Sequence, residues 1–266
     1  MLTTLILYLV LGAAAGVTAG LFGIGGGLLI VPVLIIVFEL QGVSEQVLTH
    51  AAVATSLATI VVTSISSVMA HHKRGAVLWA LVKPLSVGIV IGAVLGVKTA
   101  ALLEGAHLQV VFGLFALAVA AQMAFGFKPS PGESSPRGTL LVSAGGIIGW
   151  ASAIFGIGGG TLSVPFLTWK KVQMQQAVAT AAACGLPIAL AGALTNIYQG
   201  WGEVQMPEYS LGYIYLPAFV GIVIASTPCA KLGARLAHSL PADKLKKIFA
   251  LFLLFIGLRL LLSNLI

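Results

Sequence analysis

The sequence predicts an all-α, polytopic helical membrane protein made of two repeats with inverted topology. Three observations lead to this prediction: the apolar composition, an internal duplication and the positions of the charged residues. Of the 266 residues, 59% are hydrophobic and only 8% are charged, and the mean hydropathy is +1.07. Because soluble globular chains carry about 25% charged residues, this composition excludes a water-soluble domain.

Long apolar runs recur along the chain, each near or above the roughly 20 residues that cross the hydrocarbon core. Only helices and closed barrels satisfy their backbone groups in lipid, and these runs lack the alternation of barrel strands. The first run has no basic region before it and its pattern recurs later, so we interpret it as part of the fold and not as a signal peptide. The expected spans are 3–38 with a break at the glycines, 47–70, 77–97 and 107–126, then 138–168, 175–199, 209–230 and 242–264.

An internal duplication relates the two halves of the chain. Residues 20–34 read GLFGIGGGLLIVPVL and residues 153–167 read AIFGIGGGTLSVPFL, with the glycines and the proline in register. A second match pairs AVATS at 52–56 with AVATA at 177–181, and a weaker third match follows in the same order. The order of the matches indicates a duplicated chain.

The duplication divides the chain into a first transmembrane repeat, 1–127, a cytoplasmic linker, 128–139, and a second transmembrane repeat, 140–266. The linker is rich in proline, glycine and serine, which is the composition of a loop. Each repeat starts with a glycine-broken helix or a re-entrant hairpin.

The charged residues indicate how the repeats are oriented. If each glycine-broken segment crosses once, the halves face the same way, and the basic loop at 71–74 lies opposite the basic cluster at 231–247. If each segment enters and leaves on one side, the halves are inverted. Nearly all basic residues then lie in the cytoplasm and the loop glutamates lie outside, with Lys98 as the exception. The positive-inside tendency therefore favours inverted repeats.

Inverted repeats with broken helices are typical of secondary transporters, which bind substrate near the membrane midplane. Half-helices that begin near Gly27 and Gly160 would present free N–H groups and the positive end of the helix dipole at the turns. Two such ends form an anion site without charged side chains. Close helix packing is the alternative use of these glycines.

Polar residues of the second span and of its repeat counterpart are candidates to line a hydrated path beside the turns. Each hydroxyl alone also has a structural interpretation, because it can bond to its own helix. The predicted substrate-binding residues are Gly23, Gly25, Gly26, Gly27, Thr55, Ser56, Gly156, Gly158, Gly159, Gly160, Thr161, Thr180 and Asn196.

Other classes of function find no support in the residues. The sequence has no metal-ligand spacing, no activated nucleophile and no dinucleotide or phosphate-loop motif, so we predict no enzyme, no metal and no cofactor. The net charge of +7 comes from loop residues, so we predict no nucleic-acid partner. We expect His50, at a span end, to be solvated. Arg259 either faces a cavity or snorkels outward.

The glycine motifs at 20–32 and 153–165 and the segments that begin at 52 and 177 resemble the sulfite exporter TauE/SafE family, also described as the toluene-sulfonate uptake permease family. The resemblance covers essentially the whole chain. It implies a probable membrane transporter protein of the bacterial or archaeal cytoplasmic membrane, with small sulfur-containing anions such as sulfite, sulfoacetate and related sulfonates as substrates.

The expected function is therefore a secondary transporter that exports such an anion. A passive anion channel and a carrier for another small anion, such as a carboxylate, remain the alternatives. The expected partners are the small anion and the lipid bilayer. The oligomeric state is open, with a homodimer as one option.

Overall fold

The computed structural model describes residues 2–22, 26–125, 138–236 and 242–265, and this part of the chain is mostly helical. The helices are α1 (Leu2–Phe22), α2 (Gly27–Leu40), α3 (Glu45–Lys73), α4 (Trp79–Ala101), α5 (Gly105–Phe125), α6 (Gly138–Ile154), α7 (Gly160–Trp169), α8 (Met174–Gln199), α9 (Leu216–Leu236) and α10 (Ala242–Leu265). Two short strands, β1 (Ser210–Leu211) and β2 (Ile214–Tyr215), pair antiparallel before α9.

Helix length and composition make this a multi-pass helical membrane protein. Among the described residues, α3, α4, α8 and the segment Gly105–Ala124 of α5 are long and apolar enough to cross a membrane. Shorter apolar stretches occupy α1, α2, α6, α9 and α10. The prediction of a polytopic helical protein is confirmed.

The predicted boundaries differ from the structure in two places. The expected span 209–230 begins with the hairpin instead of a helix, because Tyr209 has a φ of 66° and stops helical geometry ahead of Leu216. Most of the predicted linker lies outside the described residues, and its last two residues, Gly138 and Thr139, already belong to α6.

Both glycine-broken segments end in short helices. The chain reverses between α1 and α2, since the hydroxyl of Tyr8 near the start of α1 lies 3.0 Å from Gln41 Oε1 just beyond α2. With 14 and 10 residues, α2 and α7 extend only about 21 and 15 Å at 1.5 Å per residue. Each is shorter than the roughly 30 Å hydrocarbon core, as in a re-entrant hairpin.

Two parallel helix pairs join the two halves of the sequence. In the pair α1 and α9, Gly12 packs on the backbone of Ile222, and Gly16 packs on that of Ser226. In the pair α4 and α6, Gly88 and Gly92 pack in the same way on the backbone of residues 142–150. Glycine lets these backbones touch, which is the close packing that small residues provide between membrane helices.

Two further pairs run antiparallel through the middle of the molecule. In the pair α3 and α8, Gly192 lies against Leu57 and Gly185 lies against Ser64. In the pair α5 and α10, Gly113 lies against Leu261 and Gly257 lies against Leu117. Helices of the two sequence halves therefore alternate in space and share a continuous apolar core.

The substitution Gly92→Ala should destabilise the fold, because its methyl group would overlap the carbonyl oxygen of Gly146 across the α4 and α6 contact. We expect a cost of about 1–3 kcal/mol, as for other overpacked sites. Gly138→Ala is the matched control, since nothing lies within 4 Å of an added Cβ there. Melting curves of both variants in detergent test this, and equal melting temperatures would contradict it.

Candidate functional site

The two glycine turns of the chain meet in the core. Gly27, the first residue of α2, packs directly on the turn that precedes α7. A Cβ added to Gly27 would lie 2.6 Å from the Gly156 oxygen and 2.9 Å from the Ile157 Cα. No side chain fits between these backbones, so the contact requires glycine on the α2 side.

Backbone geometry explains why both turns depend on glycine. Gly26 and Gly156 have φ values of 72° and 61°, in the left-handed region that residues with a Cβ rarely adopt. The turn before α7 is closed by the Ile157 amide, which donates to the Ser152 oxygen at 3.0 Å. Gly23 and Gly25, which were also predicted to bind substrate, lie outside the described residues.

The first turn of α7 offers unpaired backbone donors. The Ser163 amide donates to the Gly159 oxygen at 2.9 Å, but the described residues contain no acceptor for the amides of residues 160–162. Residues 158–160 are buried, and Gly159 supplies no side-chain cap. The free amides and the helix dipole give this buried helix end a partial positive charge.

Helices α3 and α8 enclose the second glycine turn. The hydroxyl of Ser56 on α3 donates to the Gly156 oxygen at 2.7 Å. On the other side Gly159 packs on α8, where an added Cβ would lie 2.5 Å from the Ala181 oxygen. The sequence predicts that Ser56 binds substrate. In the structure its hydroxyl proton is used in the hydrogen bond that holds the turn in place.

Thr55 and Thr180 use their hydroxyl oxygens to bind helix starts in the opposite half of the chain. Thr55 Oγ1 accepts from the amide of Tyr215, the residue before α9, at 3.0 Å. Thr180 Oγ1 accepts from the amide of Leu78, the residue before α4, at 3.1 Å. Both threonines are fully buried. This is a structural use, and their predicted contact with substrate stays a prediction.

The other predicted polar ligands differ from each other. Asn196 donates through Nδ2 to the Gly192 oxygen of its own helix at 2.9 Å. Thr161 Oγ1 is buried and has no partner among the described residues. The same holds for the hydroxyls of Ser152 and Ser163, which the sequence analysis passed over. A comparison of the two glycine motifs position by position would have pointed to them.

The structure corrects the expectation for His50 and shows an ion pair for Arg259. His50 is 7% exposed, with Nε2 3.0 Å from the Ala100 oxygen and its ring against Tyr213. The expectation of a solvated histidine is wrong, because the end of α4 and the β-hairpin cover it. Arg259 pairs with Glu39 at the end of α2, with Nη2 2.6 Å from Oε2.

Comparison with known proteins gives consistent matches over almost the whole chain. The family described as Sulfite exporter TauE/SafE matches residues 8–260. A probable membrane transporter protein of Haemophilus influenzae is 41% identical over 264 residues, which are 99% of this chain and 100% of that protein. One from Methanocaldococcus jannaschii is 30% identical over 96% of this chain and 95% of that protein. No solved structure matches significantly.

Replacing either capping threonine by valine should destabilise the fold, since it leaves the partly buried amide of Tyr215 or Leu78 without an acceptor. We expect the free energy of unfolding to fall by about 1–3 kcal/mol in Thr55→Val and in Thr180→Val. Thr195→Val is the control, because Thr195 bonds only to the Ala191 oxygen of its own helix. Melting temperatures in detergent measure the effect. If the melting temperatures of both variants fall no more than that of the control, the two threonine caps contribute little to stability.

Proposed function

The chain belongs to the sulfite exporter TauE/SafE family, and from this premise we propose that it exports a small sulfur-containing anion as a secondary transporter. It is a membrane transporter by its family. Sulfite, sulfoacetate and related sulfonates are the proposed substrates, and the cytoplasmic membrane of a bacterium or archaeon is the proposed location. The negative-inside membrane potential favours efflux of an anion.

One observation supports the anion site above the others, namely the contact of the two glycine turns at Gly27 and Gly156. Each turn precedes a short helix whose amino end lies inside the protein. Backbone amides and the dipole end attract an anion without a charged side chain. Non-helical backbone at this depth is tolerated only where protein or a cavity surrounds it. We propose the glycines of both turns as the centre of the substrate site.

Helix directions support repeats of inverted topology. By the sequence matches, α3 corresponds to α8 and α5 corresponds to α10, and both pairs run antiparallel. A two-fold axis in the membrane plane reverses helix direction, whereas an axis along the membrane normal preserves it. The exchanged caps agree with a two-fold relation between the halves, because Thr55 and Thr180 are equivalent and so are the capped residues Tyr215 and Leu78.

The charges support a cytoplasmic location for the loop between α3 and α4. The hydrogen bond from Leu78 to Thr180 brings this loop close to the start of α8. Basic residues therefore gather at this end of the molecule. Glutamates lie at the other end, such as Glu39 at the end of α2 and Glu45 at the start of α3. The positive-inside tendency places the basic end in the cytoplasm.

Cysteine labelling tests the inverted topology. In a background with Cys184→Ala and Cys229→Ala, we expect Gly202→Cys to react with a membrane-impermeant maleimide on intact cells. Gly75→Cys should react only after permeabilisation. The two sites are matched, since both are exposed and nothing lies within 4 Å of an added Cβ. Parallel repeats would place both loops on one side, so equal labelling of both sites would contradict the proposal.

Counterflow in proteoliposomes tests the transport mechanism. Unlabelled methanesulfonate or sulfite on the far side should accelerate uptake of the labelled anion, because a carrier returns faster when loaded. Gly27→Ala should abolish this flux, since its methyl group would push against the Gly156 oxygen, and Gly138→Ala should keep it. Flux without acceleration would indicate a channel. Absence of flux for every sulfur-containing anion would contradict the proposed function.

A further inference from the structure

Three buried hydroxyl groups without a hydrogen-bond partner among the described residues surround the second glycine turn. They belong to Ser152, Thr161 and Ser163. The two serines are fully buried. Because an unpaired buried hydroxyl destabilises a fold, three of them within 12 residues call for a polar ligand.

The position of Ser163 directs its hydroxyl toward the start of α7, and Ser152 lies on the other side of the turn. Ser152 lies two residues before the end of α6, and Ser163 lies three residues after the first residue of α7, so they flank the turn. Helical side chains tilt toward the amino end of their helix. The Ser163 hydroxyl therefore leans toward the amides of residues 160–162, which have no acceptor in the described part of the chain.

The first glycine turn lacks these hydroxyls. In the register of the duplicated motif, Ala19, Leu28 and Ile30 occupy the positions of Ser152, Thr161 and Ser163. Leu28 and Ile30 are 1% and 2% exposed and belong to the apolar core. Both copies of the motif have the same glycines in sequence. The presence of the hydroxyls in only one copy points to a task specific to the second turn.

We propose that the second glycine turn binds the oxygen atoms of a tetrahedral oxyanion such as a sulfonate, and that Ser152 and Ser163 donate hydrogen bonds to it. This assignment rests on the proposed function and makes the site asymmetric, with the first turn as its apolar support. Residues 138–169 contain no charged side chain, so recognition depends on hydroxyl and amide donors. Donors from α6 and from α7 suit the three oxygens of a sulfonate better than the two of a planar carboxylate.

The test measures binding of methanesulfonate and of acetate to the detergent-purified full chain. The ligand-induced rise in melting temperature reports the binding. Ser152→Ala and Ser163→Ala should each raise the dissociation constant for methanesulfonate at least ten-fold. The melting temperature of the ligand-free variants should stay the same or increase, because each change removes an unpaired buried hydroxyl. Ser226→Ala is the matched control, since Ser226 is 1% exposed and bonds to the Val223 oxygen of its own helix.

The outcomes separate this inference from the proposed function. Wild-type affinity for methanesulfonate in both serine variants would overturn the assignment and leave the transporter proposal intact. A wild-type chain that prefers acetate would overturn both the assignment and the proposed sulfur-containing substrate. Absence of binding of methanesulfonate, sulfite and sulfoacetate to the wild-type chain would overturn both. If one alanine variant does not fold, the other carries the test: at least ten-fold weaker binding of methanesulfonate supports the assignment, and wild-type affinity overturns it.

Discussion

The close contact of the two glycine turns is the constraint on which the rest of the molecule depends. Gly27 touches the backbone of Gly156 and Ile157, so the broken segments of the two halves meet in the core. Irregular backbone inside a membrane protein needs surrounding protein or a lined cavity, and here α3 and α8 provide the surround. Ser56 and Gly159 connect the turn to these two helices.

The exchange of hydrogen bonds between the halves follows from the same arrangement. Thr55 and Thr180 lie on the central antiparallel pair, and each accepts the amide that precedes a helix of the other half. A helix start needs acceptors for its free amides, and these starts receive theirs from across the repeat boundary. The parallel pairs of α1 with α9 and α4 with α6 likewise join opposite halves. Neither half buries its own surfaces alone, so the duplicated chain folds as an interleaved pair.

The two copies of the glycine motif differ in polarity and in backbone conformation. The φ of Gly26 is 72°, whereas that of its equivalent Gly159 is −59°, and in the second copy the positive φ lies at Gly156. Around the first turn the helix start is covered by Leu28 and Ile30, whereas around the second it carries Thr161 and Ser163. The duplicated motif therefore carries apolar side chains in one copy and hydroxyl groups in the other.

Composition and local pattern determined the helical membrane class, the breaks at the glycines and the paired broken segments, because hydropathy, helix length and glycine turns are properties of neighbouring residues. The tertiary structure alone decided which polar groups have a hydrogen-bond partner. Thr55 finds its partner 160 residues away and Thr180 finds its partner 102 residues away, while Ser152 and Ser163 find none in the described chain. His50 is buried by a helix end and a hairpin from distant parts of the sequence. Hydropathy is read along the chain, whereas hydrogen-bond partners and burial depend on packing between residues far apart in it, and that packing is not contained in any local pattern.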